Sequence, residues 1–160
     1  MIDIGQTTCF PVKVSTPIGS LRDLLMSVNA VFAESFLALN GAPKIYLRTD
    51  ENRFFPAVIE MIEYSERGEV GRVVIGKETR KPSTLTLVSE LDKIEKVEKL
   101  QILLDGVCAD SGIRFQTRNG KRLVVVASAF ACHFSFFGDT KFDGESEPEF
   151  ALTEYAAKET

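Results

Sequence analysis

The chain has 160 residues, 44% of them hydrophobic and 26% charged, with a formal net charge of −4. That balance excludes a disordered chain and a fibrous repeat, and the length fits one domain with a single core. No apolar run approaches the roughly 20 residues of a membrane-spanning helix, and Met1-Ile2-Asp3 lacks the positive charge and apolar stretch of a secretion signal, so the expected setting is the cytoplasm.

In chain order, Cys9 to Val14 reads as a short edge strand carrying Pro11. From Ile18 the apolar residues Leu21, Leu25, Val28, Phe32, Phe36 and Leu39 recur at three- and four-residue steps. This predicts a helix, started by Thr16-Pro17 or by Ser20 with Asp23 and stopped at Asn40-Gly41. Its reverse side carries Leu24, Val31, Ala33 and Leu37, which suits a central helix or half of a subunit interface. Lys44 to Arg48 reads as a strand. Phe54, Phe55, Val58, Ile59 and Ile62 predict a second helix from Asn52 to about Arg67, with Pro56 in its first turn. Gly71 to Gly76 and Thr84 to Val88 are β-rich and are expected to pair antiparallel across the polar loop 77–83. Ser89 is expected to cap a third helix, with Leu91, Ile94, Val97, Leu100, Leu104 and Val107 as its buried stripe and mixed charges from Asp92 to Lys99 on its wet face.

Asn119-Gly120 supplies the positive φ of a two-residue type I′ hairpin turn. The expected register sets Arg118 opposite Lys121, Gln116 opposite Leu123, Phe115 opposite Val124 and Arg114 opposite Val125. Strict alternation through one long strand then buries Ile113, Phe115, Val124, Val126, Phe130, Cys132, Phe134 and Phe136. The reverse face carries Arg114, Gln116, Arg118, Lys121, Leu123, Val125, Ala127, Ala129, Ala131, His133 and Ser135. Residues 138–160 hold seven acids against Lys141 and Lys158, so the body is close to neutral. That tail is expected to be mobile up to Glu149, with Phe150, Leu152 and Tyr155 anchoring a short helix. The expected fold is therefore α+β: residues 1–137 as one domain, with a mixed, mainly antiparallel sheet of five or six strands packed against three helices, followed by the acidic tail 138–160. No period of 20 to 50 residues repeats.

Motifs for chemistry are sparse. Gly71-Arg-Val-Val-Ile-Gly76-Lys77-Glu78 resembles a phosphate-binding loop in spacing, but Glu78 stands where a magnesium-binding hydroxyl belongs and the intervening residues are β-formers. Cys132 and His133 are adjacent on a strand and so point to opposite faces, which argues against a nucleophile and base pair. Glu60, Glu63 and Glu66, with Asp50 and Glu51 nearby, could pair as carboxylates for acid-base or metal work, but read as a solvated face. The three cysteines, Cys9, Cys108 and Cys132, fit neither a disulfide framework nor a C-x-x-C site, and His133 is the only histidine; no metal and no cofactor is expected. Lys77, Arg80 and Lys81, and Arg114, Arg118, Lys121 and Arg122, form two basic clusters. The near-neutral body and the core-facing Phe115 argue against nucleic acid as their partner.

The small-residue row ending in His133, with its basic rim, is the most particular feature. A plain solvent face would be charged, and small side chains let a ligand or another backbone approach. Arg114, Arg118, Lys121, Ala129, Ala131 and His133 are therefore the expected binding residues, with arginines placed to receive a carboxylate or phosphate. The function expected is non-enzymatic: a binding or regulatory protein, a homodimer, acting on a protein partner or a small anionic ligand. The alternative is a small enzyme for an anionic substrate, with His133 as general acid or base and Arg114 or Arg118 as anchor. The acidic tail is expected to shield the basic hairpin until a partner displaces it.

Overall fold

A computed structural model describes residues 12–14, 21–34, 43–63, 69–104, 107–128, 133–138 and 150–154. They form β1 (Val12–Val14), α1 (Leu21–Met26), β2 (Val28–Ala33), β3 (Lys44–Thr49), β4 (Arg53–Glu63), β5 (Glu69–Ile75), β6 (Thr86–Glu90), β7 (Ile94–Leu104), β8 (Val107–Thr117), β9 (Arg122–Ser128), β10 (His133–Phe137) and β11 (Phe150–Glu154). The first sheet runs β1-β5-β4-β3-β2-β6 and the second β10-β9-β8-β7-β11. All pairings are antiparallel except β1 on β5. One core joins both sheets: Val31, Leu47, Phe55 and Ile75 from the first meet Val97, Phe115, Val125 and Phe134 from the second. Burial of such interdigitated apolar faces is what holds two sheets together. Leu21, Leu24 and Leu25 of α1 pack into the same core. Among the described residues no helix is long and apolar enough to cross a membrane.

The expected three-helix architecture is overturned: the chain is mostly antiparallel β-sheet, and α1 is the single α-helix among the described residues. The misleading signal has a physical source. In β2 the register slips between Val28 and Ala30, so Asn29 is an extra residue, a β-bulge. A bulge turns the two-residue step of a strand into a three-residue one. Val28 and Val31 thereby both reach the core and imitate the helical period. The third predicted helix fails in the same way. β7 slips between Ile94 and Lys96, so Ile94 and Val97 share the core while Leu100 is buried on the opposite face. The second predicted helix is β4, apolar on both sides: Phe55 and Ala57 face the core, and Phe54 packs on Phe32 behind the sheet, ring centroids 5.8 Å apart. Pro56 is tolerated in this central strand because its hydrogen-bonding edge faces the end of the β5 ladder, where its carbonyl accepts from Gly76 N at 2.8 Å. β5 and β6, expected to pair, lie at separate places in the first sheet: β6 sits at its far edge on β2. Residues 150–154, expected to be helical, form β11 on β7.

The hairpin at Asn119-Gly120 exists with a different turn. Thr117 N donates to Lys121 O at 2.8 Å and Gly120 N to Thr117 O at 3.0 Å. The loop is thus the three residues Arg118, Asn119 and Gly120, with Gly120 at φ 93°. The longer loop moves the register by one, to Phe115 opposite Leu123 and Arg114 opposite Val124, and a one-residue slip exchanges the faces of a strand. Leu123, Val125 and Ala127 therefore lie in the core, and Val124 and Val126 on the reverse face. The long strand expected to continue to Phe136 ends at Ser128, and β10 returns antiparallel to β9. Ala127 and His133, expected to share a face, lie on opposite ones, since Ala127 pairs with Phe134 on the core side.

The two sheets share a plan. In each, four strands meander and a fifth pairs with the first: β2-β3-β4-β5 with β6, and β7-β8-β9-β10 with β11. The bulges coincide as well. Val28 pairs with Thr49, Asn29 is skipped, and Ala30 pairs with Arg48; Ile94 pairs with Thr117, Glu95 is skipped, and Lys96 pairs with Gln116. Both hairpins close over three residues after a buried threonine, Thr49 or Thr117. The sister turns differ in chemistry: Glu51 and Asn52 hold φ of 66° and 56° where the second turn uses Gly120. Asn52→Gly should therefore stabilise the protein by about 0.5 kcal/mol and Gly120→Ala destabilise it by about 1 kcal/mol. Paired urea titrations would read the opposite shifts in midpoint.

Candidate functional site

A cleft of about 680 Å³ opens where the two half-chains begin their meanders. Met26, Ser27, Val28 and Asn29 line it from the end of α1 and the start of β2, Arg48 and Asp50 from the end of β3, and Glu90 to Ile94 from the β6–β7 junction. In the shared plan Val28 and Ile94 are equivalent positions, so the cleft lies between corresponding parts of the two halves. Its lining is more polar than apolar, and among its polar groups Asn29 and Arg48 are held by a defined set of bonds.

Asn29 is central because a bulge re-aims its side chain. Its Oδ1 accepts from Arg48 Nε at 2.7 Å, its Nδ2 donates to Thr49 O at 3.3 Å, and its carbonyl accepts from Leu91 N at 2.9 Å. The Arg48 guanidinium also lies over the Phe32 ring at 5.5 Å and 4.0 Å from the Glu90 carboxylate. Stacking and a bond to a fixed amide preset this cation. The second hairpin reaches the same rim. Arg118 N donates to Lys93 O at 2.9 Å, and Lys121 Nζ donates to Glu90 O at 2.8 Å. Lys93 itself sits at φ 56°, a conformation a non-glycine residue adopts only where its surroundings hold it. The lining thus combines the cations Arg48 and Lys93 with the acids Asp50, Glu90 and Asp92.

The residues expected from sequence are divided among different places. Arg118 and Lys121 border the cleft. Arg114 lies on the reverse face of the second sheet, its Nη2 and Nε 2.7 and 2.9 Å from Glu98 Oε1, with the side chains 10% and 8% exposed. Its guanidinium pairs with that carboxylate. His133, half-buried on β10, is two strands across and four residues along from Arg114, roughly 16 Å by strand geometry. The pair proposed for an enzyme is not brought together. His133 Nδ1 is buried without a hydrogen-bond partner among the described residues. Ala129, Ala131 and Cys132 lie outside the described residues.

Other motifs resolve plainly. Gly71 to Ile75 is β5, and the following loop turns back over β4, with Thr79 N donating to Phe54 O at 2.8 Å; this is not the strand-to-helix turn that cradles phosphate. Glu60 and Glu63 are strand residues, and Glu66 lies outside the described residues. Among the described residues no group of three or more His, Cys, Asp or Glu is placed to hold a metal ion.

Asn29, Arg48, Glu90, Asp92 and Lys93 escaped the sequence reading. One signal was available: Asn29 is the single polar residue in Val28–Ala33, a composition that does not suit a plain buried helix. Comparison of the chain with protein-family models, with curated proteins and with solved structures finds no match.

Proposed function

We propose that the chain is a binding protein whose cleft takes a small zwitterion, a molecule with a carboxylate and an ammonium group of which a free amino acid is the simplest example. The observation that carries this reading is the mixed-sign lining on ordered backbone: Arg48 and Lys93 beside Asp50, Glu90 and Asp92, with Arg48 preset by Asn29. A bare anion meets three acids there and a bare cation meets two bases. A ligand carrying both signs gains from each, and preset groups lower the ordering cost of binding. Lys93 suits the carboxylate, and Asp50 suits the ammonium group. Met26, half-buried beside Val28 and Ile94, gives a small apolar contact for a modest side chain.

Calorimetry and thermal melting with a panel of free amino acids, set against dicarboxylates and inorganic phosphate, test this. At a hundredfold excess over Kd a bound zwitterion should add about 2.7 kcal/mol of stability, roughly 5–11 °C in Tm. Lys93→Glu and Asp50→Lys should each weaken binding at least about tenfold, the effect of about 1.4 kcal/mol. If no zwitterion binds, if only simple anions bind, or if both variants bind like the wild type, the reading fails.

A further inference from the structure

Within the cleft, Arg48 and Glu90 answer each other. The guanidinium lies 4.0 Å from the Glu90 carboxylate, and its Nε is already given to Asn29 Oδ1 at 2.7 Å. The Lys121 ammonium brings a further positive charge to the same residue, bonded to the Glu90 carbonyl at 2.8 Å. Three other charged residues of the lining are exposed: Asp50 at the end of β3, and Asp92 and Lys93 at the β6–β7 junction. Asp50 and Lys93 are held through backbone atoms, Asp50 O accepting from Thr49 Oγ1 at 3.4 Å and Lys93 O from Arg118 N at 2.9 Å. The charged ends of all three side chains have no hydrogen bond or ion pair among the described residues. A zwitterion engages Lys93 and Asp50 and leaves Asp92 over.

We infer that the ligand carries a second positive charge: it is a basic amino acid, with a cationic group at the end of an aliphatic side chain. This inference rests on the zwitterion reading above and extends it from the ligand's main-chain charges to its side chain. With Arg48 and Glu90 set against each other, two acids and one base of the lining remain. A ligand of net charge +1 matches that remainder, whereas a neutral amino acid leaves one acid unanswered. An acidic amino acid brings a second carboxylate toward Asp92, and like charges brought together discriminate against it. The cleft, about 680 Å³, lies within the usual size of small-molecule sites. Half-buried Met26 offers an adaptable apolar contact to the aliphatic stem while the charged tip stays among polar groups. Lys93 is fixed at φ 56° with its carbonyl on the second hairpin, so the junction that carries Asp92 is already ordered before a ligand arrives.

Calorimetry on the full chain with L-lysine, L-norleucine, cadaverine and L-glutamate tests this. Norleucine keeps the zwitterion and the unbranched side chain but lacks the terminal charge; cadaverine keeps both ammonium groups but lacks the carboxylate. Lysine should bind about tenfold tighter than either, the ratio expected of one charge-assisted contact, and glutamate should bind more weakly still. Added salt should narrow the lysine-to-norleucine ratio, and Asp92→Asn should bring it close to one. Norleucine binding as tightly as lysine overturns the inference while the zwitterion reading stands, and so does a preference for lysine that Asp92→Asn leaves intact. Cadaverine binding as tightly as lysine overturns both, because the carboxylate is then not recognised. Absence of binding by lysine and norleucine alike also overturns both.

Discussion

Glu98→Ala is expected to lower stability by about 3 kcal/mol, roughly 6–12 °C in Tm, because it leaves the Arg114 guanidinium in a buried place without its carboxylate. The pair is close, 2.7 and 2.9 Å, and both side chains are almost wholly withdrawn from water. Desolvating two charges is expensive, and their attraction offsets that expense only while both are present. The repeated plan of the two sheets supplies a sharper experiment. Glu98 pairs with Arg114 across β7 and β8 at the position where Phe32 pairs with Tyr46 across β2 and β3. One sheet fills this site with aromatic rings and the other with an ion pair. The double variant Glu98→Phe, Arg114→Tyr should therefore recover most of the stability lost by Glu98→Ala, since apolar residues of suitable volume replace buried ion pairs at little or no loss. Urea unfolding of Glu98→Ala and of the double variant tests this. A double variant no more stable than Glu98→Ala would show that the shared plan does not extend to side-chain packing.

Gly112→Ala should destabilise by about 3 kcal/mol or more, for a reason unrelated to turn geometry. Gly112 lies in the middle of β8, between β7 and β9. A methyl group on it would run into the Val125 carbonyl oxygen and stand 3.0 Å from Val126 Cα. Both are backbone atoms of a paired strand, so the clash can be relieved only by moving the ladder. Gly138→Ala is the control: a methyl group there meets nothing within 4 Å, and its effect should stay within about 0.5 kcal/mol. Equal unfolding midpoints for the two variants would contradict the close approach of β8 and β9.

Several elements were legible from residue order. Lys44 to Arg48 and Gly71 to Gly76 read as strands, and β3 (Lys44–Thr49) and β5 (Glu69–Ile75) lie there. Asn119-Gly120 marked a real hairpin. What could not be read was the loop length: the same dipeptide serves a two-residue turn or the end of a three-residue one, and the choice rests on the Thr117 to Gly120 and Thr117 to Lys121 bonds. That single residue decided which face of β9 is buried, and so set Ala127 in the core. Of the expected binding residues, Arg118 and Lys121 sit at the exposed hairpin tip and bond the carbonyls of Lys93 and Glu90. Arg114 pairs with Glu98, which belongs to a segment that reads from sequence as the wet face of a helix.

Residue order alone determined the composition of a well-packed globular chain, several of its strands, and the position of its most distinct turn. These depend on local preference, and local preference is written in neighbouring residues. Tertiary structure decided the rest: that apolar steps of three at Val28 and Ile94 are bulged strands, that two sheets repeat one plan, and that Asn29, Arg48 and Lys93 converge. A bulge is stable only when a partner strand supplies the opposing register, so periodicity within one segment cannot distinguish it from a helix.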